Sequence, residues 1–297
     1  MDAMNRAFAL IPFLALSLCS PAQDAYTRSI EAWASARDAR LAAEDGWLTL
    51  IGRDWLNPGE NTLGSAPGST VLLPEGASLP KAGMFYLEGK VVRFRPLPGS
   101  GILLNGKPAT EVVLKSDAEG EPDILTAGRV KFYVIRRGER LGVRLKDPEA
   151  PARKAFHGVS RYPVNPGWRV EADYIPYPMP QTRAIATVIG TTESMTTPGL
   201  LRFKLGGREV TLEPMLEDPE HPELFIIFKD TTSTHGTYPA GRFLYAEMPK
   251  NGKVILDFNQ AINPPCAFSI FATCPLPPKQ NQLDLDILAG EKNPGLH

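Results

Sequence analysis

The sequence predicts a mainly β protein: an N-terminal amphipathic helix, then two antiparallel β blocks, one sandwich-like and one barrel-like, that share an interface. Three observations lead to this reading. Apolar residues recur every three or four positions only near the start. Beyond Asp45-Gly46 the chain breaks into short β-rich runs punctuated by Gly, Pro and Asn. The Pro-rich passage Asp147-Pro148-Glu149-Ala150-Pro151 then divides those runs in two, because proline donates no ladder hydrogen bond and restricts its predecessor.

The elements follow in order. Residues 1–22 read as a secretory signal: Arg6 supplies the positive region, Ala7 to Leu18 the apolar run, and Ser20-Pro21-Ala22 the small residues before a cut ahead of Gln23. This predicts an exported protein, periplasmic or secreted. A lipid anchor at Cys19 is the alternative, although Leu18 is bulky where a lipobox carries Gly or Ala. No later apolar stretch approaches the length of a membrane span. The helix occupies 23–45, with Tyr26, Ile30, Trp33, Ala34 and Leu41 on one face and Arg28, Glu31, Arg37, Asp38 and Arg40 on the other. The first β block, 46–150, has expected strands at 47–51, 71–73, 84–87, 91–95, 102–104, 112–114, 130–136 and 141–145. The second, 151–297, has them at 168–175, 184–189, 201–205, 209–212, 225–229, 243–247, 254–257 and 283–288. Asn105-Gly106, Gly206-Gly207 and Lys250-Asn251-Gly252 supply hairpin turns. The stretch from Asn259 to Asn281 is too long and Pro-rich for an ordinary connection, and loops of that length are usually functional.

Two resemblances bear on function. Lys229-Asp230-Thr231-Thr232, Thr237 to Leu244, Asp257-Phe258-Asn259, Asn263-Pro264-Pro265-Cys266-Ala267-Phe268, Cys274-Pro275-Leu276-Pro277-Pro278, Asn281 and Ala289-Gly290-Glu291 together resemble the domain of unknown function family numbered 1684, over about Ile30 to Lys292. That resemblance implies that the two blocks co-fold; it implies no activity, substrate or cofactor. In layout, Asn61 to Leu145 is similar to a forkhead-associated sandwich, through Leu63-Gly64, Leu104-Asn105-Gly106 and Gly128. That family reads phosphothreonine with an Arg after the early Gly and a Ser and His in a later loop. Here Ser65 follows Gly64, and Leu79-Pro80-Lys81-Ala82-Gly83 supplies neither, so phosphopeptide binding is not implied.

The candidate chemistry gathers in the second block. Cys266 and Cys274 form an even pair in a Pro-braced loop, which in an exported protein is first a disulfide candidate. The alternatives are a zinc site with His235 and a Cys266 nucleophile assisted by His235. Asp230, Arg242, Tyr245, Asp257, Asn259, Asn263 and Glu291 cluster around the same loop. One reading makes them anchors, with Arg242 paired to Asp230 or Asp257. The sharper reading is a pocket in which Arg242 grips an anionic group while Asp257, Asn259 and Asn263 hydrogen-bond the rest of a small molecule.

Several signatures exclude themselves. Gly101 to Lys107 has phosphate-loop spacing, but Pro108 replaces the hydroxyl residue and the context is a hairpin. Glu213, Glu217, Asp218 and Glu220 sit among prolines as a solvated acidic loop, and Asp117 to Glu121 lacks a full calcium-loop pattern. With 32 basic and 33 acidic residues there is no broad positive field, so no nucleic-acid partner is expected, and no motif calls for a cofactor or metal. The expected function is a small-molecule-binding or accessory module with its site near 257–274. The rivals are a hydrolase using Cys266 or a bound metal with His235, and a structural interaction domain without ligand.

Overall fold

The computed structural model describes residues 21–217 and 222–295. The apolar export segment with Cys19, and residues 218–221 of the acidic loop, lie outside the described residues. Helix α1 runs Pro21–Leu41 and buries Ile30, Arg37 and Leu41. Among the described residues, no helix is long and apolar enough to cross a membrane.

The first β block is a sandwich. One sheet has five strands in the order Val71–Leu72, Gly59–Gly64, Gly83–Glu88, Val91–Pro96 and Val112–Leu114. The other has six, in the order Leu50–Trp55, Arg140–Lys146, Val130–Arg137, Leu125–Ala127, Leu103–Leu104 and Lys107–Pro108. Leu63, Phe85 and Phe94 from the first meet Phe132, Val143 and Leu145 from the second in one core. Each such buried side chain contributes roughly 1.5–3 kcal/mol. The strand Gly59–Gly64 escapes periodicity because Gly, Glu, Asn and Thr make up most of it; its inward Asn61 is satisfied by hydrogen bonds to the backbone of Asn57 and Gly59.

The second block is a seven-stranded antiparallel half-barrel. Its path runs Arg242–Ala246, Leu224–Phe228, Met215–Leu216, Thr192–Leu205, Arg169–Ala186 and Lys253–Asp257, with Arg208–Leu212 also paired to Thr192–Leu205. The hairpin of Arg169–Ala186 and Thr192–Leu205 is longer than its sequence suggests, because Pro176, Pro178 and Pro180 fall at an irregularity between Pro176 and Gln181 where the ladder register shifts. The expected strand at 283–288 does not form. Leu283, Leu285 and Ile287 do alternate into the core, but the backbone makes only scattered bonds, such as Leu283 N–H to Lys229 O at 2.7 Å and Thr231 N–H to Leu285 O at 3.1 Å. The expected strand at 47–51 opens instead as a 3-10 turn, Trp47–Thr49.

Alternation then sorts the half-barrel's two faces. Leu224, Ile226, Phe228, Leu244 and Leu256 fill the inside. Ile185, Met215, Phe225, Ile227 and Phe243 point outward and are covered by Leu50 of the sandwich block and by Cys266, Ala272 and Cys274 of the long loop. The shared interface is therefore built on that loop. Ser269 Oγ donates to Leu50 O at 3.1 Å, Arg137 Nε to Thr273 Oγ1 at 2.8 Å, and Arg53 Nη1 to Ala272 O at 2.9 Å.

Candidate functional site

The four residues expected to line a pocket are divided by the fold. Arg242 lies on the inner face with Leu244 and is 0% exposed. Its guanidinium donates to Asp230 Oδ2 at 2.7 Å and to the carbonyls of Ile287 and Ala289. It thus anchors the irregular 283–291 segment and does not open onto a cleft, because both Nη groups already have protein acceptors. Asp257 and Asn259 are an anchor for α1. Asp257 accepts from Tyr26 Oη at 2.8 Å and from Asn259 N–H at 3.1 Å, while Asn259 Nδ2 donates to Asn165 O at 2.9 Å. Burial, then Asp257, raises the Tyr26 hydroxyl pKa, so that phenol stays a donor.

Asn263 belongs to a second junction. Its N–H donates to Glu291 Oε2 at 2.7 Å, its carbonyl accepts from Arg37 Nη2 at 3.2 Å, and its buried Oδ1 has no partner. Glu291 in turn lies 3.4 Å from Arg37 and 3.2 Å from Arg161, and Arg161 also pairs with Asp38 at 2.6 Å. Burial raises the Glu291 pKa despite those two cations. Gly290 makes the approach possible: its φ is +73°, and a Cβ there would collide with Ala261 O.

Cys266 and Cys274 are both buried and both free thiols in this structure. Cys266 N–H donates to Cys274 Sγ at 3.1 Å. A hydrogen bond from Cys274 lowers the Cys266 pKa against the opposing effect of burial, and burial raises that of Cys274. His235 is not part of this pair. It is exposed, with Nδ1 3.1 Å from Thr234 Oγ1 and Nε2 3.9 Å from Asp286. Among the described residues no group of three or more His, Cys, Asp and Glu side chains converges as a metal site. The zinc and Cys-His arrangements considered for His235, Cys266 and Cys274 are therefore not assembled: Thr231–Thr234 carries His235 to the surface while the thiols face the interface.

What the fold does build is a cleft of about 1540 Å³ between α1, the sandwich and the outer face of the half-barrel. Trp33, Arg37 and Arg40 come from the helix, Arg136, Arg137 and Arg144 from the sandwich, and Phe243, Tyr245 and Ile255 from the half-barrel. Asp257, Asn263 and Cys274 reach it from the conspicuous C-terminal words; Arg242 and Asn259 do not. Trp47 also lines it, with the Arg144 guanidinium 5.2 Å from its ring centroid. At the opposite sign of charge are Glu193 and Glu217. Thr196 pairs with Leu216, so Glu193 and Glu217 fall on the same outer face as Met195 and Met215, diagonal to each other across the ladder. Desolvation raises both pKa values, offset at Glu193 by Arg137 3.8 Å away and at Glu217 by a 3.1 Å hydrogen bond from Tyr245 Oη. Sequence reading missed this set because the residues lie on four separated segments. The only local signal was the polar alternation of Arg140, Gly142, Arg144 and Lys146 against apolar Leu141, Val143 and Leu145.

Comparison with known proteins adds a family and no activity. No curated protein matches the chain. An uncharacterized protein of Haloarcula marismortui, known from a solution NMR structure, is 30% identical over 49% of this chain and 81% of its own, with a TM-score of 0.41. Residues 154–292, the half-barrel with its long loop, match the family described as protein of unknown function (DUF1684).

Proposed function

We propose that the protein is an exported small-molecule-binding module whose ligand occupies the cleft between α1, the sandwich and the half-barrel. The observation that carries this reading is the cleft itself: three separate parts of the chain converge on it, setting the aromatic surfaces of Trp33, Trp47, Phe243 and Tyr245 among many cations and carboxylates, a lining suited to a polar or charged small molecule. In this reading α1 and the sandwich belong to the same functional unit as the family-matched half. Arg37, which lines the cleft, and Asp38 of the helix join Arg161 and Glu291, so the helical wall is tied to the C-terminal half. The sandwich acts as a wall of the cleft, through Arg136, Arg137 and Arg144.

The test is equilibrium dialysis of the purified mature protein against a deproteinised extract of its own cells, read by mass spectrometry. One or a few compounds should be enriched by the wild type and lost with Ile255→Arg, which places a charged chain in the cleft from a half-exposed position. No enrichment, or enrichment untouched by that substitution, would reject the reading. Export has its own readout. In an oxidising compartment the buried Cys266 and Cys274 should become bridged, which would stabilise by about 2–3 kcal/mol. Both thiols should then resist alkylation in unfolded, unreduced protein; two alkylated cysteines would contradict this.

A further inference from the structure

We propose that Arg144 is an oxyanion-binding subsite of this cleft, taking the carboxylate or phosphate of the ligand beside the face of Trp47. The proposal rests on the reading of the cleft as a ligand site and names what one end of it recognises.

Arg144 is 4% exposed and yet has no carboxylate partner among the described residues. Its Nε is buried with no hydrogen bond, and Nη1 makes one long contact, 3.5 Å, to Tyr133 Oη. An unpartnered Nε is shared with Arg37, Arg161 and Arg242, but each of those guanidiniums has a carboxylate. Arg242 has Asp230 at 2.7 Å, Arg137 has Asp117 at 2.9 Å, and Arg37 has Glu291 at 3.4 Å. Nor do Arg144's neighbours neutralise it. Arg53, directly across the ladder, uses its Nη1 on the carbonyls of Phe271 and Ala272, and Lys146, two residues on, donates to Asp45 O. Each of these two cations has its pKa lowered first by burial and next by the Arg144 charge.

A buried, unpaired cation is a stability liability, because desolvation is not repaid by a counter-charge. It is tolerable where a bound anion completes it. A guanidinium presents a planar fork that fits the two oxygens of a carboxylate or phosphate. Trp47 gives that fork a face to lie against, and both residues line the cleft.

The liability gives the experiment a sign that a structural arginine would not share. Thermal melting of the mature protein is measured with inorganic phosphate, with acetate, and with sodium chloride at matched ionic strength. The wild type should show a saturable rise over chloride with at least one oxyanion; which one responds assigns the class. Arg144→Met should weaken the apparent affinity at least tenfold and, without oxyanion, melt no lower than the wild type. Arg144→Lys, which keeps the charge and loses the fork, should retain a reduced shift. The proposal is overturned if the wild type shows no oxyanion-specific shift, if Arg144→Met keeps it, or if Arg144→Met melts several degrees lower or fails to fold. An extract compound still enriched by Arg144→Met and lost with Ile255→Arg would remove this subsite and leave the cleft reading standing.

Discussion

Arg242 and Arg144 are almost equally buried, and what surrounds each decides its role. Arg242 sits inside the half-barrel against Asp230 and two carbonyls, and Asp230 itself caps Thr231–Thr234 by accepting from Thr232 N–H at 2.9 Å. Removing one partner of such a pair leaves the other charge buried alone, a cost of roughly 3–5 kcal/mol. Arg242→Met and Asp230→Leu should each lower the denaturation free energy by about that amount, whereas the double variant Asp230→Leu with Arg242→Met should recover much of it. Urea titrations check this; two single costs that simply add would show that the residues act independently. An anchor of this kind commits both Nη groups to protein acceptors and keeps the whole guanidinium inside the half-barrel, which is why the pocket expected around Arg242 is not where the cleft lies.

At the scale of elements, the long hairpin Arg169–Ala186 and Thr192–Leu205 is clipped by a buried carboxylate. Glu213 accepts from Arg183 Nη2 at 2.8 Å, from Tyr177 Oη at 2.6 Å and from Gln280, while Asn281 bridges its backbone to Ile227. Burial alone would raise the Glu213 pKa, but these donors outweigh it and hold the carboxyl below the usual glutamate range. A carboxylate depressed in the folded state contributes stability above its unfolded pKa and loses it as pH falls. The denaturation midpoint should therefore decline as pH drops below about 4.3, the ordinary glutamate value, and Glu213→Gln should flatten that acid limb. An identical acid limb in the variant would show that other groups cause it. The same clip explains part of what the sequence hid. Glu213 lies between prolines and strands and reads as one member of a solvated acidic loop, yet it is 1% exposed because the 279–281 turn folds over it.

For the whole molecule, much of the architecture was legible before any coordinate. The 3.6-residue stripe marked α1, the alternating runs and Gly-bearing turns marked most strands, and the alternation of Leu244 with Phe243 and Tyr245 separated the half-barrel's two faces. The break at 283–288 was not legible, since its apolar alternation is real and only the missing ladder distinguishes it from a strand. The candidate site was legible least. Asp257, Asn263 and Cys274 were singled out by their setting and do reach the cleft, but Trp47, Arg144, Glu193 and Glu217 were not connected to it. Local spacing encodes which side of a strand a residue occupies, so the sequence by itself determined that Arg144 points away from the sandwich core. Only the docking of the long loop and half-barrel onto that outer face decided that this side is buried rather than solvated, and so turned an ordinary surface arginine into an unpaired charge lining a cleft. Burial of that kind depends on contacts between residues more than a hundred positions apart, such as Arg137 with Thr273, and no local periodicity records them.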